Sequence, residues 1–164
     1  MKEDGSMNRM ISILLSVLLL LGLQVFVGGC GKQSAEDKEA IRLIEVRIAL
    51  ILYPFTQGAL PQKLKDVLVK AGIEVELGMV RSPESGVMLM SSDGVEITPV
   101  EGQWCKIISV VKGKGLDSLP DIEFKNGGFG LKKGEFYIKD GTLARLKGAV
   151  YRFSGNTWTK QRPE

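Results

Sequence analysis

The fold is decided by the stretch Ser34-Ala-Glu-Asp-Lys-Glu-Ala-Ile-Arg-Leu-Ile-Glu-Val-Arg-Ile-Ala-Leu-Ile-Leu-Tyr53. Apolar residues recur in it at every third or fourth position, which predicts a long helix. Ser34 is a suitable N-cap, Glu36 favours the positive end of the helix dipole, and Pro54 ends the pattern. The second half is apolar on nearly every side, so we expect a sheet to wrap around it.

Shorter elements follow this helix. Residues 60–71 predict a second, shorter helix, and after Ile73 the pattern changes to strands separated by turns. The predicted strands are residues 87–92, 95–98, 104–112, 122–125, 136–139, 142–146, 150–154 and 157–160. Helices first and strands afterwards predict one α+β domain over residues 34–164. In it, the long helix and the short helix pack on an antiparallel β-meander.

The turn residues predict details of this meander. Asp93-Gly94, Asp140-Gly141 and Gly155-Asn156 are each typical of a two-residue hairpin loop. We expect Met90 to lie opposite Ile97 and Met88 opposite Pro99 in the first hairpin. In the last hairpin we expect Phe153 opposite Trp158, as an aromatic pair. The longest buried strand is predicted at residues 104–112, and the glycines at 113–115 and 128–130 are interpreted as bends.

The N-terminus carries a different kind of signal. An apolar run at residues 10–27 follows Arg9, whether translation starts at Met1 or at Met7, as in an export signal. The run ends in Val27-Gly28-Gly29-Cys30, which resembles the lipobox of bacterial lipoproteins. The resemblance implies that residues 1–29 are cleaved and that Cys30 becomes a lipid-modified N-terminus, with residues 30–33 as a short tether. A single uncleaved span is the alternative, since about 18 apolar residues are the lower limit for one.

The lipobox resemblance also implies a location. The protein would be held at a bacterial membrane by the lipid on Cys30, facing away from the cytoplasm. Two or three acyl chains are enough for stable attachment. Gly31 stands where the family's inner-membrane retention signal is Asp, which indicates the outer membrane if the host is Gram-negative.

The composition removes most catalytic chemistry. The chain has no histidine and two cysteines, which excludes histidine-based nucleophile pairs and thiolate metal clusters. With Cys30 assigned to lipid, Cys105 is unpaired and is interpreted as a buried small apolar residue. We expect no metal, no cofactor and no catalytic residue.

One enzymatic class stays open, a carboxylate pair acting on envelope glycans. Its candidates are Asp117 and Asp121, which flank a loop. Asp93 and Asp140 each precede a glycine and are explained as turn formers.

Charge and aromatic residues suggest a binding surface. Residues 125–164 hold nine basic and three acidic side chains, which could face an anionic envelope polymer or lipid headgroups. The alternative is that these lysines and arginines line the solvent face and edges of the sheet. Tyr137, Tyr151 and Trp158 are the predicted surface aromatics. We expect no nucleic-acid partner.

A second resemblance concerns the order of elements. A long apolar helix, Tyr53-Pro54, a short helix and an antiparallel sheet are similar to the globular part of type IV pilin-like proteins. That family retains its apolar segment and has a Glu five residues into the mature chain, which this sequence lacks after Gly29.

These observations leave three functional hypotheses. The leading one is a lipid-anchored, non-enzymatic envelope protein with a binding or assembly role, whose partner is an anionic envelope polymer or another protein. The alternatives are a pilin-like subunit and a carboxylate-dependent enzyme.

Overall fold

Two helices form the first part of the domain. The structure is a computed structural model, and it describes residues 32–56, 59–76, 86–109 and 111–163. Helix α1 spans Ala35–Leu52 and passes into one 3-10 turn at Tyr53–Phe55. Pro54 lies in this turn, so the predicted end of the helix is confirmed. Helix α2 spans Gln62–Lys70 and buries Leu64 and Leu68.

The rest of the described chain forms antiparallel sheets. Its strands are β1 (Glu74–Glu76), β2 (Val87–Ser91), β3 (Gly94–Thr98), β4 (Cys105–Lys106), β5 (Lys112–Lys114), β6 (Ile122–Lys125), β7 (Phe129–Lys132), β8 (Glu135–Ile138), β9 (Leu143–Leu146), β10 (Ala149–Ser154) and β11 (Thr157–Lys160). A five-stranded sheet has the order β11-β10-β9-β6-β4, and a four-stranded sheet has the order β2-β3-β7-β8. Strands β1 and β5 form a separate pair. The predicted α+β class is confirmed, with the meander divided between two main sheets.

One hydrophobic core joins the helices to both main sheets. Helix α1 contacts β7 of the four-stranded sheet and β9 of the five-stranded sheet. From Ile48 to Leu52 every side chain of α1 is buried, so the predicted wrapping of this half is confirmed. Phe124 of β6 and Phe129 of β7 meet edge to face, with their ring centroids 5.1 Å apart. The apolar faces of both sheets therefore belong to the same core.

Two of the points where the described chain crosses between the two main sheets lie close together. Residues 126–128 connect β6 to β7, and residues 139–142 connect β8 to β9. Thr142 is completely buried there; its Oγ1 accepts the Gly128 N–H at 2.9 Å and lies 2.7 Å from the Lys139 carbonyl oxygen. A Cβ on Gly127, whose φ is +56°, would lie 2.2 Å from this hydroxyl oxygen. Glycine is therefore required beside Thr142.

Polar contacts fasten α1 along its length. Near its start, Asp37 accepts a hydrogen bond from the Tyr151 hydroxyl at 3.1 Å. In its middle, Arg47 donates to the Pro120 carbonyl at 2.8 Å. Near its end, the Ser109 hydroxyl donates to the Leu50 carbonyl. The helix is thus tied to segments that lie far apart in sequence.

The hairpin predictions have different outcomes. Phe153 lies opposite Trp158 with the ring centroids 5.2 Å apart, as predicted. In the first hairpin the loop residues are 92–93, so Met88 lies opposite Ile97 and the predicted Met90 partner is wrong. The pairing is shifted because Gly94 belongs to β3 as the partner of Ser91.

Three other strand predictions are wrong. Residues 104–112 do not form one strand, because β4 ends at Lys106 and Lys112 starts β5 in another sheet. Gly113 lies in β5 and Gly130 in β7, so the interpretation of these two glycines as bends is wrong. At Gly130 glycine permits close packing, because a Cβ there would lie 2.2 Å from the Val95 carbonyl oxygen. Asp140-Gly141 closes no hairpin, because β8 and β9 lie in different sheets.

Candidate binding surface

The predicted aromatic surface is corrected by the structure. Trp158 is 2% exposed and Tyr151 is 3% exposed, so neither ring is open to a ligand. Both lie on the inner face of the five-stranded sheet, because alternation along β10 and β11 places them with Phe153. Tyr137 lies on the other main sheet and is half-buried. The three residues therefore do not form one surface.

The buried position of Tyr151 has a polar explanation. Its hydroxyl donates to Asp37 Oδ1 at 3.1 Å, and Lys160 Nζ lies 3.1 Å from the same oxygen. Burial, followed by the bond to this carboxylate, raises the pKa of Tyr151. The phenol thus contributes to docking of α1 on the sheet.

Tyr137 belongs to a second polar cluster. Its hydroxyl donates to Glu96 Oε2 at 2.7 Å, while Lys139 Nζ and the Thr98 hydroxyl contact Oε1 at 2.5 Å and 3.0 Å. Burial and the bond to Glu96 raise the pKa of Tyr137 to about 12. The bond from Lys139, followed by that from Tyr137, lowers the pKa of Glu96. This cluster stabilises charge on a carboxylate and ties β3 to β8.

The outer face of the five-stranded sheet collects basic side chains. Alternation places these side chains on the side opposite to the buried Phe124, Ala144 and Phe153. We call this surface the basic face and define it by Trp104, Lys106, Lys125, Arg145 and Arg152, from or next to β4, β6, β9 and β10. The sequence predicts the basic charge of residues 125–164 but not that one sheet face carries basic side chains.

Trp104 lies on the basic face next to β4, an outermost strand of the five-stranded sheet. The Arg145 guanidinium carbon is 4.4 Å from its ring centroid, and Lys125 Nζ is 5.8 Å from it. Both distances are within the range of cation–π attraction. The indole ring is half-exposed beside these two cations. An aromatic ring next to cations is suited to sugar rings that carry negative groups.

Two carboxylates partly neutralise this surface. Lys106 Nζ lies 2.7 Å from Asp121 Oδ2, and Arg145 Nη2 lies 2.6 Å from Glu123 Oε2. Such solvent-exposed pairs contribute little to stability, about 0–1 kcal/mol. Lys125 and Arg152 have no carboxylate partner among the ion pairs of the described residues. The basic face therefore keeps a surplus of positive charge.

An open cavity adjoins the basic face. Its volume is about 480 Å³. It is lined by Lys106, Asp121, Glu123, Arg145, Lys147 and Gly148. Lys147 adds a further cation at its rim. The cavity extends the positive surface beyond Trp104 and gives a bound chain a depression in which to lie.

The catalytic candidates do not form a carboxylate pair suited to acid–base work. Asp121 is exposed, and its hydrogen bond from Lys106 lowers its pKa. A general acid in glycoside hydrolysis needs a raised pKa. Asp117 is exposed in the loop before it, and Asp93 and Asp140 lie in turns. Asp140 Oδ1 accepts the Gly155 N–H at 3.2 Å, which fits a structural role for that residue.

Among the residues that the structure describes, no three His, Cys, Asp or Glu side chains are placed to hold a metal ion. None of the helices in the same residues has the length and apolar character of a membrane span. Cys105 is buried, as predicted. Cys30 and the segment at 1–29 lie outside the described residues, as does part of the 30–33 tether.

No protein-family model, no curated protein and no solved structure matches this chain. The functional argument therefore depends on the chain's own residues.

Proposed function

We propose that this protein is a lipid-anchored, non-enzymatic component of the bacterial cell envelope that binds an anionic glycan polymer on its basic face. The anchor is the lipid on Cys30, supported by the Val27-Gly28-Gly29-Cys30 motif behind an apolar run. The domain begins only a few residues later, at Ala35. A tether this short would keep the domain close to the membrane surface, on its outer side.

The observation that carries the binding proposal is the position of Trp104 beside two cations, Arg145 and Lys125. A sheet face of this kind offers stacking for a sugar ring and charge for its acidic substituent. Lys125 and Arg152 supply charge that no ion pair in the described residues uses. The basic face crosses several strands, so it suits a chain of repeating units better than one small molecule.

A polymer is favoured over the lipid headgroups of the membrane. Headgroup binding typically depends on flexible clusters of lysine and arginine close to the bilayer. Here the cations are spread over several strands of a sheet, and two of them lie beside an indole ring. Competition between an anionic polymer and anionic vesicles distinguishes these two sources of negative charge.

The binding proposal is tested with the membrane-extracted protein in detergent. Dextran sulfate should retain the protein on a column, and neutral dextran of equal length should not. Retention should fall as salt is raised, because mobile ions screen exposed charges over about 10 Å at 0.1 M. Equal behaviour on both polymers would contradict the proposal. In a second assay without detergent, a chain starting at Gly31, which carries no lipid, should prefer dextran sulfate to anionic vesicles, and preferential capture by the vesicles would contradict the proposal.

The two alternative functions have weaker support. A carboxylate-dependent enzyme would need a proton donor near neutral pH, whereas the pKa of Asp121 is lowered. A pilin-like subunit would need to keep its apolar segment, which the lipobox-like motif argues against. Release of products from wall glycans would favour the enzyme, and a mature chain retaining residues 10–29 would favour the subunit.

A further inference from the structure

Strand β2 is an outermost strand of the four-stranded sheet. Strand β3 pairs with one side of it, and none of the described strands pairs with the other. Val87, Leu89 and Met90 are 50%, 56% and 63% exposed. An apolar outer strand presents unpaired N–H and C=O groups, which can pair with a strand of another molecule.

The outermost strands of the two main sheets differ in whether they carry charged residues that oppose pairing with another chain. Charged residues at an edge oppose pairing with another chain. Strand β8 contains Glu135, strand β11 contains Lys160 and strand β4 contains Lys106. Strand β2 reads Val-Met-Leu-Met-Ser and has no charged residue. A second copy of β2 would therefore meet no like charge, which is the main requirement for a strand that pairs with itself.

The directions of the backbone N–H and C=O groups of β2 also suit pairing with a second copy of the strand. The two-residue loop closes on the pair Ser91–Gly94, which is hydrogen-bonded as in a β-turn. Because bonded and non-bonded pairs alternate in an antiparallel ladder, Leu89 also bonds to β3. Met88 and Met90 then direct their N–H and C=O groups to the open edge. Met88 and Met90 lie one on each side of Leu89, so an antiparallel second copy of β2 related by a two-fold axis at Leu89 can form hydrogen bonds with both residues.

We propose that β2 pairs antiparallel with β2 of a second copy of this chain, around a two-fold axis at Leu89. Met88 then exchanges two hydrogen bonds with Met90 of the partner subunit, and the reverse pair does the same. Leu89 lies opposite Leu89 of the partner subunit, and Val87 lies opposite Ser91 of the partner subunit. The two four-stranded sheets become one continuous sheet of eight strands.

This dimer goes beyond the proposed function and uses no residue of the basic face. The contact is isologous, so it closes on itself and does not grow into a filament. All five residues of β2 are paired in this register. Apolar side chains meet on both faces of the joined sheet. The dimer would also bring two basic faces into one assembly.

A cysteine placed on the axis tests the dimer directly. Leu89→Cys in the full chain puts two thiols in a non-bonded pair, where the Cα atoms are about 4.5 Å apart. Disulfides form at Cα distances of about 4.4–6.8 Å. Val87→Cys is the matched control: its counterpart in the dimer is four residues out of register, roughly 13 Å along the strands. Both positions are exposed, so neither change opens the core.

After treatment with a mild thiol oxidant, Leu89→Cys should give a species of twice the mass that a reductant removes. The unchanged chain, which also holds Cys30 and Cys105, and Val87→Cys should stay monomeric. Absence of the species from Leu89→Cys would overturn the dimer. Equal linking of Val87→Cys, or linking of Leu89→Cys to a different protein, would also overturn it.

A second test places a charged residue at the two-fold axis of the proposed dimer. In mild detergent the unchanged full chain should sediment as a dimer. Leu89→Lys should sediment as a monomer, because two lysines would face each other at the axis. The circular dichroism spectrum should be the same for both. Identical sedimentation of the two proteins would contradict the dimer.

Discussion

The Thr142 hydroxyl accepts a hydrogen bond from the Gly128 N–H at 2.9 Å, in the interior between the two main sheets. Gly128 lies just before β7 and Thr142 just before β9, so one side chain joins two of the points where the chain crosses between the main sheets. The same hydroxyl lies 2.7 Å from the Lys139 carbonyl oxygen. Thr142 therefore replaces ladder bonds that the backbone loses where it leaves one sheet for the other.

Replacing Thr142 with valine should destabilise the domain. The change keeps the shape of the side chain but leaves the buried Gly128 N–H without this acceptor, which costs about 1–3 kcal/mol. Chemical denaturation of a truncated chain starting at Gly31 measures the free energy of unfolding. Thr157→Val is the control, because Thr157 is exposed on β11 and should change stability by less than about 0.5 kcal/mol. Equal losses in both variants would contradict this role for Thr142.

The Glu96 cluster predicts a linked titration. Replacing Glu96 with glutamine removes the carboxylate that accepts the hydrogen bond of the Tyr137 hydroxyl, so the pKa of Tyr137 should fall from about 12 towards 10. Part of the shift should remain, because burial is its largest cause. The titration is followed by NMR on chains with labelled tyrosine. Tyr151 is the internal control, since its hydroxyl bonds to Asp37 and its pKa should not change.

The pKa shifts of Tyr137 and Glu96 make the stability of the folded domain depend on pH. The folded pKa of Tyr137 is above its unfolded value, so its stabilisation is complete below pH 10 and is lost between pH 10 and about 12. The pKa of Glu96 is lowered from 4.5, so its stabilisation is present above that pH and is lost as the pH falls further. Glu96→Gln should reduce both dependences. If the stability of Glu96→Gln depends on pH in the same way as that of the unchanged chain, the titration of this cluster does not affect folding.

Charge reversal on the basic face should weaken polymer binding. A cation near an anionic surface contributes about 1 kcal/mol, so Lys125→Glu with Arg152→Glu should weaken retention by about thirtyfold or more. Lys132→Glu with Lys133→Glu is the matched control, because these exposed lysines lie at the turn between β7 and β8 of the other main sheet. It changes the net charge equally. Equal weakening by both pairs would indicate a general charge effect and no specific surface.

Local patterns were enough to predict the helices and the last hairpin. The spacing of apolar residues in α1 and the Gly155-Asn156 turn both act over a few residues. The division into two sheets was not predictable in this way, because Asp140-Gly141 has hairpin chemistry but its flanking strands find partners elsewhere. That choice depends on Thr142, whose hydroxyl accepts the N–H of Gly128, 14 residues earlier in the sequence.

The sequence did not predict the basic face correctly, because side-chain alternation and strand pairing decide which residues are exposed. Tyr151 and Trp158 have the composition of a stacking surface, but alternation with Phe153 turns them into the core. The same alternation in β6, with Phe124 inside, places Lys125 outside, and this signal was available in the sequence. What the sequence did not reveal is that Trp104 lies beside Arg145, because the pairing of β6 with both β4 and β9 joins them.

The proposed lipid anchor on Cys30 is tested by the intact mass of the protein extracted from membranes of its own host. We expect the mass of residues 30–164 plus two or three acyl chains, and we expect Cys30→Ala to prevent lipid attachment. A mass that retains residues 10–29 and carries no lipid would contradict the lipid anchor.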